Sequence, residues 1–254
     1  MNWSKTYDLG QPFFSGMPHF PTHPPFLFTL NKQHGEFVLD NGASSASETL
    51  TLGGHVGTHI DALSHFSCDG KLHGGVVPKQ SYSGGVENHS VDTIAPILRP
   101  GVLFDIAGLM GVETLAADFV ITPEHLKSCN VEPVAGGIAL IRTGWASFWN
   151  DPREFITGGY GSHVVGPGPA IEAAGWLSDR HIFAAGSDTV AFEKVPSQME
   201  VHVHLLVDKG IHIIECLNLE ELARDRVKQF TFVALPLKIR GGTGSPIRPV
   251  ALVE

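Results

Sequence analysis

The sequence predicts an α/β fold: a single domain over residues 1–254 with a mixed β-sheet and flanking helices. Three observations predict it. Short apolar runs bounded by glycine, GVLFDIAG at 101–108 and GGIALIRTGW at 136–145, are the pattern of strands buried on both faces. Helical patterns, ITPEHLKSC, PAIEAAGWLSDR and SQMEVHVHLLVDKG, alternate with such runs, and no internal repeat interrupts them. The 254 residues are 43% hydrophobic and 17% charged, which suffices for one large core.

Taken in order, residues 7–30 carry Pro18, Pro21, Pro24 and Pro25 among aromatics and predict an ordered loop held by apolar anchors. His19 and His23 are expected to be loop packing; Phe14, Phe20 and Phe26 become pocket walls only if this arm folds back over the histidines that follow. Residues 47–61 read as a strand, and Asp69-Gly70 as a tight turn after it. His73, flanked by glycine, is expected in solvent, and Cys68 lacks a partnering base, so it reads as a buried or spectator thiol. Thr122 and Pro123 form a helix-start pattern. The glycine-rich segment 156–169 is incompatible with regular structure and is a candidate mobile loop. HIFAAGSDT predicts a strand ending at Asp188, a residue expected to cap the following turn. Gly210 stops the next helix, and IHIIECL, FTFVALPLKI and SPIRPVALV read as strands, the last two joined by GGTGS.

Composition removes several classes of function. A net charge of −9 without clustered Lys or Arg excludes a nucleic-acid or anionic-membrane partner. Cys68, Cys129 and Cys216 are odd in number and far apart, so no disulfide framework is expected and a reducing, cytoplasmic setting fits. The start lacks a signal-peptide pattern, and no run approaches the ~18 apolar residues of a membrane span.

The chemistry concentrates in GHVGTHIDALSHF, residues 54–66. His55, His59, Asp61 and His65 follow at even steps, so an extended chain points all four to one face, with Val56, Thr58 and Ile60 opposite. A helix would have to carry Gly53, Gly54 and Gly57. Imidazole and carboxylate together suit Zn²⁺ or Mn²⁺, and a cation removes the cost of burying Asp61. The alternative is ordinary histidines in a chain that holds 14. Glu215, in the apolar IHIIECL, is either paired or on a metal, or is a strand-end residue reaching water. His202 and His204 lie two apart on a helix, so at most one faces a shared target.

HVGTHIDALSHF resembles the signature H-x-G-T-H-x-D-x-P-x-H-F of the cyclase family of metal-dependent amide hydrolases, the group that includes bacterial kynurenine formamidases and isatin hydrolases. Further similarities follow in order: DLGQPFFSGMP, LIRTGW, AAGSDTV, HVHLLVDKGIHIIECLNLEEL and VALPLKIRGGTGSPIRPVAL. The resemblance implies the swivelling β/α-type fold, and His55, His59 and Asp61 as metal ligands completed by His202 and Glu215. It implies His65 as acid/base or further ligand, one or two divalent ions (Zn²⁺ or Mn²⁺), a homo-oligomer, and a small, aromatic substrate. Leu63 departs from the motif's proline, and the interval from His202 to Glu215 is one residue longer than the pattern.

The implied reaction is hydrolysis of a small C–N bond, an aryl formamide or a strained cyclic amide, by water activated at the metal. Phe14, Phe66, Trp145 and Phe192 are candidate apolar walls. Two other readings remain: a polyketide-type cyclase or dehydratase on the same metal, and a metal-binding protein without turnover. His65 weighs against the last, because a closed structural site needs no spare acid/base group.

Overall fold

The computed structural model of the protein describes residues 3–159 and 161–254. The β-branched and aromatic runs assemble into a nine-stranded mixed sheet. In chain order its strands are β1 (Lys5–Asp8), β2 (His59–Asp61), β3 (Ile97–Asp105), β4 (Ile138–Arg142), β5 (Ala184–Ser187), β6 (His212–Glu215), β7 (Gln229–Ala234), β8 (Gly244–Pro246) and β9 (Val250–Val253). Across the sheet they lie in the order β1-β9-β7-β3-β4-β5-β6-β2-β8. The four central strands β3, β4, β5 and β6 are parallel; every other pairing is antiparallel.

Period-two alternation sorts the side chains of these strands into two cores. Val102 and Phe104, Ala139 and Ile141, Ala185 and Ile213 pack on one face with Leu126, Leu177 and Leu205. Those three come from helices α2 (Pro123–Ser128) and α4 (Ile171–Ser178) and from a π-helical stretch. Leu103, Ile138, Leu140, Ala184, Ile214 and Ile60 pack on the other face with Phe230, Phe232 and Ala251. Near-continuous apolar strands are what two covered faces require. The capping pattern predicted at the start of α2 is present, Thr122 and the His125 side chain bonding each other's backbone N–H groups.

Several expectations are corrected. Residues 47–61 are not one strand. Ser47–Thr51 pairs with Leu27–Lys32 in a separate hairpin, and only His59–Asp61 enters the sheet. Gly57, at φ +65°, breaks the extension between them. SPIRPVALV likewise divides into β8 and β9 around residues 247–249. The first 30 residues hold β1 and the hairpin's first strand besides the expected loop, whose anchors Met17 and Phe26 are buried. Asp69 and Gly70 do form the tight turn, both at positive φ, between reciprocal Cys68–Lys71 backbone bonds. Cys68 is an exposed thiol, and all three cysteines are free. His73 is partly buried rather than in solvent, its Nδ1–H donating to Val207 O at 2.8 Å. The loop after Thr157 is irregular apart from Gly168–Pro169, which pairs with Val120–Ile121; Tyr160 lies outside the described residues. No helix is long and apolar enough to cross a membrane, among the described residues.

Asp188, wholly buried just after β5, does not cap its own turn. It caps the end of β4: its carboxylate accepts from Thr143 N–H, Thr143 Oγ1 and Gly144 N–H at 2.6–3.1 Å. This holds the chain as it leaves the sheet beside Trp145. Asp188→Ala leaves these buried donors without an acceptor and should cost about 3 kcal/mol or more of unfolding free energy, read by urea denaturation; a loss under ~1 kcal/mol contradicts this account.

Candidate metal centre

Sheet register brings the first groups together. In the antiparallel β2/β6 pair His59 stands opposite Glu215, and Asp61 opposite Ile213. Directly opposed residues share a face, so His59, Asp61 and Glu215 all project to the helix-covered side while Ile60 and Ile214 point away. His55 arrives from the loop instead of the strand. Its ring lies against Gly244 of β8, where any Cβ would collide with it. His55 Nδ1 is 2.6 Å from Asp61 Oδ1 and Nε2 is 2.9 Å from Thr243 Oγ1. Val56, Thr58 and Ile60 are all buried as expected, but in different places: Val56 in an aromatic third cluster, and Thr58 bonded to Gln11 N–H and Cys216 O.

His202 comes from α5 (Glu200–His202), which continues without a break as the π-helix Val203–Lys209 to Gly210. His202 is buried with Nε2 3.2 Å from Glu215 Oε1. His204 turns elsewhere, to Ser178 Oγ at 3.0 Å. Glu193, not anticipated from the sequence, accepts from His202 Nδ1–H at 2.6 Å, from the His202 backbone N–H at 2.8 Å and from Ser197 Oγ at its other oxygen. No spacing rule ties Glu193 to His202; a carboxylate in the apolar stretch TVAFE was the only signal.

Two groups result, each with its donor atoms within 4.8 Å of one another: His55, His59 and Asp61, and Asp61, His202 and Glu215. Asp61 belongs to both. Its Oδ2 is buried without any hydrogen-bond partner. His59 Nδ1–H donates to Gly57 O at 2.8 Å, which leaves a lone pair on Nε2 in the neutral ring. That lone pair faces Asp61 Oδ1 at 3.5 Å and Glu215 Oε2 at 3.4 Å. Three acceptors converging in a buried space are tolerable only around a proton or a cation, so the donor set fits a divalent metal.

The electrostatics agree. Burial alone would raise Asp61, but His65, His55 and His59 hold its carboxyl well below the usual range. Glu215 is likewise pulled down against burial, first by the hydrogen bond from His202 and then by the neighbouring His59 imidazole. Burial lowers His202, yet its bonds to Glu193 and Glu215 prevail and push it up to about 10. The site holds its carboxylates ionised and invites positive charge.

His65 stands apart from both groups. Its ring stacks on His55 at 3.8 Å and 25°, and burial lowers its pKa to about 4, so it stays neutral. Leu63, in place of proline, packs against the first core, and the turn is closed by His65 N–H to Ala62 O at 2.9 Å. The proline-rich arm does fold back: the His23 ring lies 5.3 Å from His55 and 6.0 Å from His65, contrary to the packing role expected, while His19 joins none of these groups. Of the aromatics, Phe66 is at the centre, 5.0 Å from the rings of both His65 and His202. Phe192 lends its N–H to Glu215 Oε1 but buries its side chain in the core, and Trp145 is buried in the third cluster, with Phe14 packed against its edge.

The comparisons with known proteins point the same way. A family profile described as "Putative cyclase" matches residues 7–194. The chain is 28% identical over 222 residues to an isatin hydrolase of Roseibium aggregatum, covering 84% of this chain and 77% of that protein. It is 27% identical to a kynurenine formamidase of Bacillus cereus over 250 residues, 98% of each. A crystal structure described as a novel cyclase superposes with a TM-score of 0.87 at 29% identity, over 98% of this chain and 88% of the other. Its relatives are hydrolases, its fold is theirs, and this chain belongs to the cyclase family.

Proposed function

We propose that this protein is a metal-dependent hydrolase of a small amide C–N bond, an aryl formamide or a strained cyclic amide, with His55, His59, Asp61, His202 and Glu215 as ligands. One observation carries the reading: a wholly buried Asp61 carboxylate, one oxygen unpartnered, is shared by two groups of converging imidazole and carboxylate donors. The relatives' names, a formamidase and an isatin hydrolase, support the bond class. A divalent ion held there, zinc or manganese by donor chemistry, supplies Lewis acidity and lowers the pKa of water from 15.7 towards ~7.

The chain's own residues do the rest. His65, neutral and stacked beside the ligand His55, can take the proton that attacking water gives up and hand it to the departing nitrogen. Phe66 and His23 flank His65 with aromatic rings, surroundings suited to a flat aromatic amide. Glu193 fixes the His202 ring through Nδ1 and so aims Nε2 at the centre.

Purified protein loaded with Zn²⁺ or Mn²⁺ and given formamides, cyclic amides and esters should release an acid and an amine from the first two. Ring closure or dehydration without uptake of water would instead mark a cyclase. Asp61→Ala should lose bound metal and turnover together, by elemental analysis and rate; full activity in the metal-free variant would sink the mechanism. His65→Ala should keep its metal yet lose about 10²–10⁴ in kcat, and an unchanged kcat removes His65 from proton transfer. Glu193→Gln should weaken metal binding by roughly 10–100-fold in a competitive chelator titration, whereas wild-type affinity would make Glu193 a mere packing group.

A further inference from the structure

A separate cavity of about 160 Å³ opens at the other end of the same strands. Glu215 closes β6 at the metal centre; His212 begins it, about 10 Å away along the strand. The walls include Leu63, His89, Ile94, Arg99, Phe183 and His212, and no Asp or Glu. The volume is below the ~300 Å³ of sites for drug-sized ligands and suits a molecule of a few heavy atoms.

Two of its polar groups are held in place and left with free bonding capacity. Arg99, on β3, lies with its guanidinium carbon 4.1 Å from the Phe183 ring centre and gives one N–H to Gly136 O at 2.9 Å. No carboxylate pairs with it among the described residues, so the rest of its planar fork is available. His212, buried and also packed against Phe183 with ring centroids 5.0 Å apart, bonds Asp61 O through Nδ1 at 2.9 Å. A carbonyl can only accept, so Nδ1 carries the hydrogen and Nε2 of the neutral ring is an acceptor, without a partner among the described residues. The Arg99 fork and the His212 acceptor, both packed against Phe183 in a cavity that Leu63 and Ile94 also line, suit a ligand with the opposite pattern.

We propose that this cavity binds a small organic carboxylate carrying a hydroxyl or amine beside it, the carboxylate on Arg99 and the neighbouring donor on His212 Nε2. Its occupant would touch Leu63 and, through His212, the backbone of Asp61. It is a second small-molecule site next to the segment that bears the metal-centre residues, and its existence does not depend on the reaction performed there.

Calorimetric titration of metal-loaded protein with lactate tests it, with propionate as the analogue lacking the hydroxyl. A metal can itself take lactate, so the variants separate the two places. Wild type should show binding at the cavity that Arg99→Gln weakens at least tenfold. Ala95→Glu, which sets a like charge at an exposed position on the cavity wall, should weaken it comparably without touching Arg99's packing. Propionate should bind this site at least fivefold more weakly than lactate. Isotherms of both variants that superimpose on wild type would place lactate at the metal alone and overturn the proposal. So would loss in Arg99→Gln with none in Ala95→Glu, and equal affinity for propionate would overturn the pairing with His212.

Discussion

Burying an ionised carboxylate with an unbonded oxygen is the most demanding thing this fold does. Asp61 lies out of water with Oδ2 unpartnered, and an isolated charge in such surroundings is too costly to persist without a compensating positive one. The neighbouring architecture answers that demand. β6 supplies Glu215 in register, the loop before β2 supplies His55, and α5 supplies His202 from across the helical face. Around Asp61 stand imidazoles, and around the imidazoles stand acceptors that fix their tautomers: Gly57 O for His59 and Glu193 for His202. The arrangement suits a cation, and the surrounding shell fixes where each donor atom points.

The sheet makes that precision affordable. Four parallel strands, covered on both faces by apolar side chains, give a stiff centre, and the antiparallel pair β6/β2 at its flank inherits the stiffness. A one-residue slip of β2 would send His59 and Asp61 to the opposite face and bring Ile60 in their place. Thr58 guards against it by bonding both Gln11 and Cys216, and β8 pairs along the other edge of β2. The loop before β2 is secured differently, by close contacts at glycine: His55 on Gly244, and Gly57 beneath the Phe13 ring.

The two ends of β6 carry contrasting chemistry three residues apart. At its C-terminal end carboxylates and imidazoles converge; at its N-terminal end a guanidinium and an imidazole face a cavity free of acid. His212 and Asp61, joined through the main chain of neighbouring strands, connect them. Strand ends serve this purpose well, because the ladder fixes the backbone and leaves the last side chains free to face space.

From the sequence alone, the class of fold, the buried central strands, the start of α2 and the convergence of the donor groups of His55, His59 and Asp61 were legible. Each rests on local physics: apolar runs bounded by glycine, a threonine cap followed by proline, and donor types crowded at short spacing. The choice of His202 over His204 came from resemblance, and the geometry of the helix supplies its reason, since residues two apart face different ways and His204 meets Ser178. What lay beyond reach was whatever depends on segments distant in the chain. The break of residues 47–61 into two elements follows from pairing with residues 27–32 on one side and Glu215's strand on the other, a competition no local pattern encodes. Glu193, Thr243 and His23 reach the centre through tertiary packing, and Asp188 caps a strand 45 residues upstream. Residue type and spacing determined which groups could hold a cation; only the folded sheet decided which of them meet.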